Sequence, residues 1–349
     1  MNKGLTPKER LMRTIKRQDI DCLPTQIDFS GACLDKMLKY WDLANELDAV
    51  AFLGNHVVYA YLNDAVGNIK ARQLAGDEIS FDSWGVGYNS HQEGPLPVIY
   101  PLANLDQWSQ YQFPDPNANG LLDRAEKVVA SFGRDYCVTS YQIYCLFERA
   151  WTIRGMDNLL MDFVLNRDFV ETLLDKITEY QIAIAKRYVN IGVSCGRTGD
   201  DYGGKTAMLF SPAMWRELIK PRLKRIWQVY QDAGIPVMHH SCGNIMPIIS
   251  DLVEMGLSIL NPVQPECMDI AAVKEQFGGK IVLYGGISTA GALALGSPQQ
   301  VREDVRNTAA ILGKGGGYVI GPTQGITSEV STDNIEMFRQ AVRDFSFIV

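Results

Sequence analysis

A single (β/α)8 TIM barrel is the fold this sequence predicts, and three observations predict it. From Leu121 onward, short apolar strands alternate with helical stretches, which is the rhythm of a parallel α/β protein. With Asp21–Phe29 and a strand near residue 50 added, about eight βα units can be counted, the number that closes a barrel. No Gly-x-Gly-x-x-Gly follows the first strand, so the mark of a dinucleotide fold is missing. The 349 residues would suit one large barrel or two smaller domains. With no internal repeat, low-complexity run or long polar linker, one domain spanning 1–349 is expected.

The elements follow in order. Thr6-Pro-Lys-Glu9 supplies an N-cap, a proline at the first helical position and an acidic residue in the capping-box place, so a helix runs to about Arg17. Asp21–Phe29 reads as the first strand and Cys33–Glu46 as a helix. The short apolar pieces 48–51 and 57–61 are ambiguous. Residues 70–116 break the rhythm: they are rich in Gly, Pro, Trp and Tyr, with alternation over 78–88, and predict a β-hairpin insertion. Then come helix 121–131, strand 136–144, helices 156–165 and 167–187, and strand Val189–Ser194. Helix 212–233 carries Pro221, which should kink it. It leads to strand 235–238, after which Asn244 is placed to cap an amphipathic segment, 245–255. Strands 257–261, 280–285 and 317–321 complete the count.

Composition narrows the function classes. Lys plus Arg is 33 against 40 for Asp plus Glu, a formal charge of −7, so a broad basic face for nucleic acid is not expected. No apolar run approaches a membrane span, and the first ten residues lack the apolar core of a signal peptide; a cytoplasmic protein is expected. Seven cysteines without framework spacing read as reduced thiols, mostly small buried hydrophobes.

In this fold the chemistry sits at the C-terminal ends of the strands. Those places hold Asp28 with Ser30, Asn55 with His56, Glu148 with Arg149, Asp200 with Asp201 and Tyr202, His240 with Cys242, Gln264 with Glu266, Gly285 with Gly286, and Thr323 with Gln324. Apolar strands that end in dense polar groups point to an enzyme. The sharpest of these ends is Pro236-Val-Met-His-His-Ser-Cys-Gly-Asn244. Residues two apart on a strand share a face, so His240 and Cys242 point one way and His239 and Ser241 the other. Imidazole with thiolate is a donor pair that suits Zn²⁺ better than Mg²⁺ or Ca²⁺. Gly243 permits the turn that closes the strand. For His239 the plain reading is a satisfied core histidine, and for Glu148 an ion pair with Arg149 or Arg154 competes with metal ligation. The aromatic set Trp84, Tyr88, Trp108 and Tyr111 could cover the barrel mouth, form a homodimer contact or simply pack.

With Pro7-Lys-Glu-Arg-Leu, Gly199-Asp-Asp-Tyr-Gly203, Ser211-Pro-Ala-Met-Trp-Arg, Lys220-Pro-Arg, His239-His-Ser-Cys-Gly243 and Gly315-Gly-Gly-Tyr-Val in view, the chain resembles the uroporphyrinogen decarboxylase superfamily over nearly its whole length. That resemblance implies one of two chemistries. One branch decarboxylates a tetrapyrrole without metal or cofactor. The other uses zinc to move methyl groups to or from corrinoid proteins, coenzyme M or methoxylated compounds. The decarboxylase branch has an arginine-rich segment after the first strand and a histidine after the last. Here the first place reads Asp28-Phe-Ser-Gly-Ala-Cys-Leu-Asp35, and no histidine follows His240.

His240-x-Cys242 resembles the methyltransferase branch, which completes its zinc site with a second cysteine after the last strand. In this chain that loop reads Gly321-Pro-Thr-Gln-Gly-Ile326, with Gln324 at or beside the position. Glu148 is therefore the expected third ligand, with Asp200 and Asp201 as further candidates or as substrate contacts. Asp28, Tyr202, Gln264 and Gln324 are the expected substrate-binding residues. The resemblance implies a zinc-dependent methyltransferase acting with a small methyl donor or acceptor and with methylcobalamin on a separate corrinoid protein. A tetrapyrrole carboxy-lyase and a non-catalytic ligand-binding barrel are the alternatives.

Overall fold

A computed structural model describes residues 4–63, 71–74, 77–89 and 94–347. The capping box forms as read: Thr6 accepts from the Glu9 N–H, and α1 (Pro7–Ile15) starts on its proline. The predicted helix 33–46 divides in two. α2 (Gly31–Trp41) ends on Asp42 in the left-handed region, and α3 (Glu46–Leu53) starts from the Asn45 cap. The strand expected near residue 50 is thus helix, and β1 (Val57–Ala60) follows it. Asn55 and His56 therefore stand at the entry of a strand rather than at its exit, a correction to their place among the strand ends.

The stretch read as one β-hairpin carries a four-stranded antiparallel sheet: β2 (Ala71–Leu74), β3 (Asp77–Phe81), β4 (Gly87–Asn89) and β5 (Leu96–Ile99). Parts of that expectation, residues 70, 75–76 and 90–93, lie outside the described residues, as do 1–3 of the N-terminal reading. The aromatic set packs inward. Trp84 and Tyr88 are core residues, Trp108 and Tyr111 lean on the core, and the Tyr111 hydroxyl donates to the Trp84 carbonyl.

After α4 (Asp123–Phe132) the chain alternates as expected: β6 (Cys137–Ser140) and β7 (Gln142–Ile143), then α5 (Phe147–Arg154), α6 (Met156–Leu165) and α7 (Arg167–Ile191), then β8 (Gly196–Gly199). The predicted strand 189–194 is a correction. Tyr188 follows Ile184 at helical spacing, and both are buried as the last turns of α7, which closes on left-handed Gly192. A short apolar run by itself does not distinguish a helix end from a strand. α8 (Pro212–Met214) passes through a π-turn at Trp215–Ile219 into α9 (Lys220–Asp232). Pro221 has no N–H to give the ladder, and the wider turn just before it absorbs the mismatch. β9 (Val237–His240), β10 (Ile259–Val263), β11 (Val282–Ile287) and β12 (Tyr318–Pro322) follow. Asn244 accepts from the Met246 N–H, but the cap positions of the 3-10 turn Met246–Ile248 and of the helix Ile249–Glu254 are Ile245 and Ile248, and neither carries a side-chain cap, a correction to the expected role of Asn244.

β7 through β12 form one parallel sheet, and β1 pairs in parallel with β6. β6 meets the start of β8 through a parallel bridge, Thr139 to Cys195. The segment predicted as the first strand is extended at 24–29 and joins the two edges. Gln26 N–H donates to Ile320 O at 2.9 Å, and Ile320 N–H to Pro24 O at 2.9 Å. On its other side His56 N–H donates to Thr25 O at 3.1 Å, and Gln26 Oε1 takes the N–H of Val57 at 3.0 Å. The arrangement is α/β and TIM-barrel-like. Inside it, Leu11 of α1 packs with Val57, Cys137, Cys195, Met238, Ile259, Val282 and Val319. That apolar layer closes the end where the strands begin and leaves chemistry to the other end. No helix among the described residues is long and apolar enough to cross a membrane.

Candidate metal centre

β9 ends on His240, and Cys242 follows two positions on, so strand parity should aim both inward. It does: Cys242 Sγ lies 3.3 Å from His240 Nε2, and both residues line a cavity of about 780 Å³. His239 faces the other way and is fully buried. Its Nδ1 lies 2.9 Å from Thr198 Oγ1 and burial pulls its pKa down to about 3, so it is a neutral core histidine, but its Nε2 has no hydrogen-bond partner and the ring is only half satisfied.

Gly243 has φ 83°, and a Cβ there would come within 2.1 Å of Gly203 O; at Gly203 a Cβ would come within 2.5 Å of Asn244 N. Two glycines thus let the loops after β8 and β9 touch backbone to backbone. Asn244 N–H donates to Gly204 O, Tyr202 N–H to Ser241 Oγ, and Cys242 N–H to Asp201 Oδ1 at 2.8 Å. This clasp carries Asp201 to the pair, with Oδ1 3.7 Å from His240 Nε2. One ligand atom from each of Asp201, His240 and Cys242 lies within 4.8 Å of the other two, the geometry of a group able to hold a metal ion.

Surrounding contacts prepare the donors. His240 Nδ1 lies 2.7 Å from Asn261 Oδ1. A carbonyl oxygen only accepts, so the ring proton sits on Nδ1 and the Nε2 lone pair faces Cys242 and Asp201. Burial lowers the His240 pKa against the opposing pull of Asp201, which keeps the ring neutral. Gln324 Nε2 donates to Cys242 Sγ at 3.2 Å. Burial and then Asp201 push the Cys242 thiol well up, while the Gln324 contact favours its anion.

Glu148, the expected third ligand, stands on the first turn of α5 and lines the same cavity, but it is outside the trio. The backbone fixes this placement: Asp200, fully buried, accepts from Leu146 N–H at 2.8 Å and Glu148 N–H at 2.9 Å, which pins the start of α5 to the β8 loop. Burial, followed by Asp201 and Asp200, raises the Glu148 pKa well above the carboxylate range. Neither arginine pairs with it, because Arg149 is taken by Asp82 and Arg154 by Asp162, each at 2.6 Å.

Among the residues expected to meet substrate, Asp28 and Gln324 line the cavity. Tyr202 and Gln264 do not. Tyr202 is fully buried and donates from its hydroxyl to Asp200 Oδ2 at 3.1 Å, whereas Gln264 Oε1 takes the Gly243 N–H at 2.8 Å and braces the turn. Burial raises the Asp200 pKa to about 7 despite these donors.

Sequence reasoning missed Asn261, the tyrosines Tyr59, Tyr61, Tyr141 and Tyr144, and Arg197, all of which line the cavity. Placing the strand at 189–194 hid Arg197. An arginine between two glycines, three places before the acidic pair, was the available signal.

The Uroporphyrinogen decarboxylase (URO-D) family model matches residues 87–345. A methylcobamide:CoM methyltransferase, MtbA, of Methanosarcina acetivorans is 21% identical over 361 residues, covering 98% of this chain and 99% of that protein. A uroporphyrinogen decarboxylase of Psychromonas ingrahamii is 24% identical over 363 residues, covering 97% of each. The solved structure of a methyltransferase from Methanosarcina mazei superposes with a TM-score of 0.73 at 19% identity, covering 98% of this chain and 99% of that one. Matched by its family model over about three quarters of its length and by relatives end to end, this chain belongs to the uroporphyrinogen decarboxylase family.

Proposed function

We propose that this chain is a zinc-dependent methyltransferase, built as one closed (β/α)8 barrel over 1–349, that moves a methyl group between a small substrate and a corrinoid carried by a separate protein. The observation that carries this reading is the meeting of Asp201, His240 and Cys242 at the cavity. One carboxylate, one imidazole and one thiol, with the imidazole oriented by Asn261, is a donor set that fits zinc and leaves room for a substrate atom. When bound there, zinc would supply Lewis acidity to a substrate oxygen or sulfur. The relative named a methylcobamide:CoM methyltransferase supports the corrinoid partner.

The chain's own residues divide the remaining work. Asn261 fixes the imidazole ring, and Gln324 steadies the sulfur by donating to it. Glu148, kept neutral by burial and by its acidic neighbours, holds a proton at the cavity wall for a departing heteroatom. Tyr202 and Gln264 support the two loops from behind.

A decarboxylase reading is supported by the relative from Psychromonas ingrahamii and by the buried cation Arg197 facing the cavity. One preparation tests both readings. Protein purified without added zinc should carry about one zinc per chain and change the visible spectrum of methylcobalamin in the presence of an acceptor thiol. Metal-free, folded protein that releases carbon dioxide from uroporphyrinogen would replace the methyltransferase reading with the other.

A further inference from the structure

Arg197 is the least explained polar group of the interior. It lies on β8, is 7% exposed and lines the cavity. Its Nε and Nη1 are fully enclosed and have no hydrogen-bond partner, and it takes part in no salt bridge among the described residues. Asp28 acts on it through charge but makes no ion pair with it. Asp28 accepts from Gln26 Nε2 at 2.9 Å, Tyr59 Oη at 3.0 Å and Tyr284 Oη at 2.9 Å. What Arg197 does have is aromatic support, its guanidinium carbon lying 4.9 Å from the ring centroids of both Tyr59 and Tyr141. Ring faces ease a buried cation but leave its N–H donors unused.

We propose that Arg197 binds the carboxylate of the substrate, and that the substrate class is a small carboxylic acid. The register sets the scale. Gly199 pairs with His240 and Arg197 with Met238, so Arg197 sits one inward-facing position deeper than His240, about 6.6 Å along the strand. Arg197 and the three donors line one cavity, so a small molecule held there by its carboxylate shares that space with Asp201, His240 and Cys242. The interior around it is lined by Tyr59, Tyr141 and Tyr284 together with Asn261 and His240. A guanidinium fork matches a planar carboxylate with paired N–H donors, and in a dry site such a contact is a strong one. A quaternary ammonium does not fit, because Arg197 itself occupies the space beside Tyr59 and Tyr141 and would repel it.

This inference rests on the methyl-transfer reading only in placing the reacting end near the metal candidates. The test separates the two by measuring binding on metal-free protein. Calorimetric titration with 4-methoxybenzoate and with its uncharged counterpart 4-methoxybenzamide should show the acid binding at least ~10-fold tighter. In Arg197→Met the acid should fall to the level of the amide, while the amide itself is unchanged. Arg197→Lys, which keeps the charge but not the fork, should lie between. Circular dichroism checks that the variants fold, and the acid-to-amide ratio of the wild-type chain needs no variant. Equal binding of acid and amide, no binding of either, or an Arg197→Met protein that still prefers the acid would each overturn the proposal. A ratio that holds in a chain without zinc or methyl transfer would sink the reading of the reaction and leave this one standing.

Discussion

Cys242 gathers more of the candidate centre than any other side chain. Its sulfur touches His240 and Gln324, and its backbone N–H holds Asp201 in place. Replacing the thiol with a methyl group removes a ligand atom but leaves that N–H and the glycine clasp unchanged. Cys242→Ala should therefore lose zinc and methyl transfer while its melting temperature stays within a few degrees of wild type; full activity with bound zinc would remove Cys242 from the centre. The third donor is settled by a paired comparison. Asp201 reaches the pair and Glu148 does not, so Asp201→Asn should weaken zinc about 10-fold or more. Glu148→Gln should leave zinc affinity near wild type and lower turnover instead. If equilibrium zinc titrations ranked the two variants the other way, the third place would return to Glu148.

At the scale of elements, α5 is held from both ends of its first turn. Asp200 takes the N–H groups of Leu146 and Glu148, and on the other side Arg149 reaches Asp82 at 2.6 Å. Asp82 also accepts from Trp84 N–H, Val86 N–H and the Tyr88 hydroxyl, so one buried carboxylate ties the β3–β4 turn to the helix that presents Glu148. Both partners of the ion pair are buried. Removing one strands the other, which typically costs about 3–5 kcal/mol. Asp82→Ala should lower the urea midpoint accordingly, and the double variant Asp82→Ala/Arg149→Met should recover part of the loss. A single variant within ~1 kcal/mol of wild type would show that water reaches Arg149 and that the tie is not what holds α5.

Over the whole molecule, acid should act through buried neutral histidines. His56 joins three parts of the fold: its Nε2 lies 2.8 Å from Arg10 of α1, its backbone N–H bonds Thr25 of the extended segment, and β1 starts at the next residue. Burial and then Arg10 pull its pKa down to about 4, against about 6.5 in an unfolded chain. A depressed value means the unfolded chain binds the proton first. The stabilising contribution is complete above about pH 6.5 and fades as pH falls toward about 4, at up to ~1.4 kcal/mol per pH unit. His239 and His240 titrate low for the same reason, burial, so they steepen the same limb. His56→Asn should be less stable at pH 7 yet show a shallower loss between pH 6.5 and 4 by urea unfolding; an unchanged slope would mean that His56 is protonated in the folded chain.

Local rules were enough for much of this molecule. The capping box at Thr6 and Glu9, the strand running into His240, the inward aim of His240 and Cys242 and the outward aim of His239 all depend on neighbours within a few residues. The alternation of elements, and with it the α/β class, could be read for the same reason. Boundaries failed where a short apolar run is compatible with two structures: residues 188–194 end a helix, and 48–53 form one. Tertiary structure alone placed the carboxylates. Asp201 and Glu148 are equally acidic and both follow inner strands, but only the backbone contact of Gly203 with Gly243 brings Asp201 to the pair. It likewise left two Arg197 N–H groups without a partner, since a donor is unpartnered only relative to groups brought near it from distant parts of the chain. Asp28, the carboxylate whose charge acts on it, takes its hydrogen bonds from Tyr59 and Tyr284 instead, residues 31 and 256 places away.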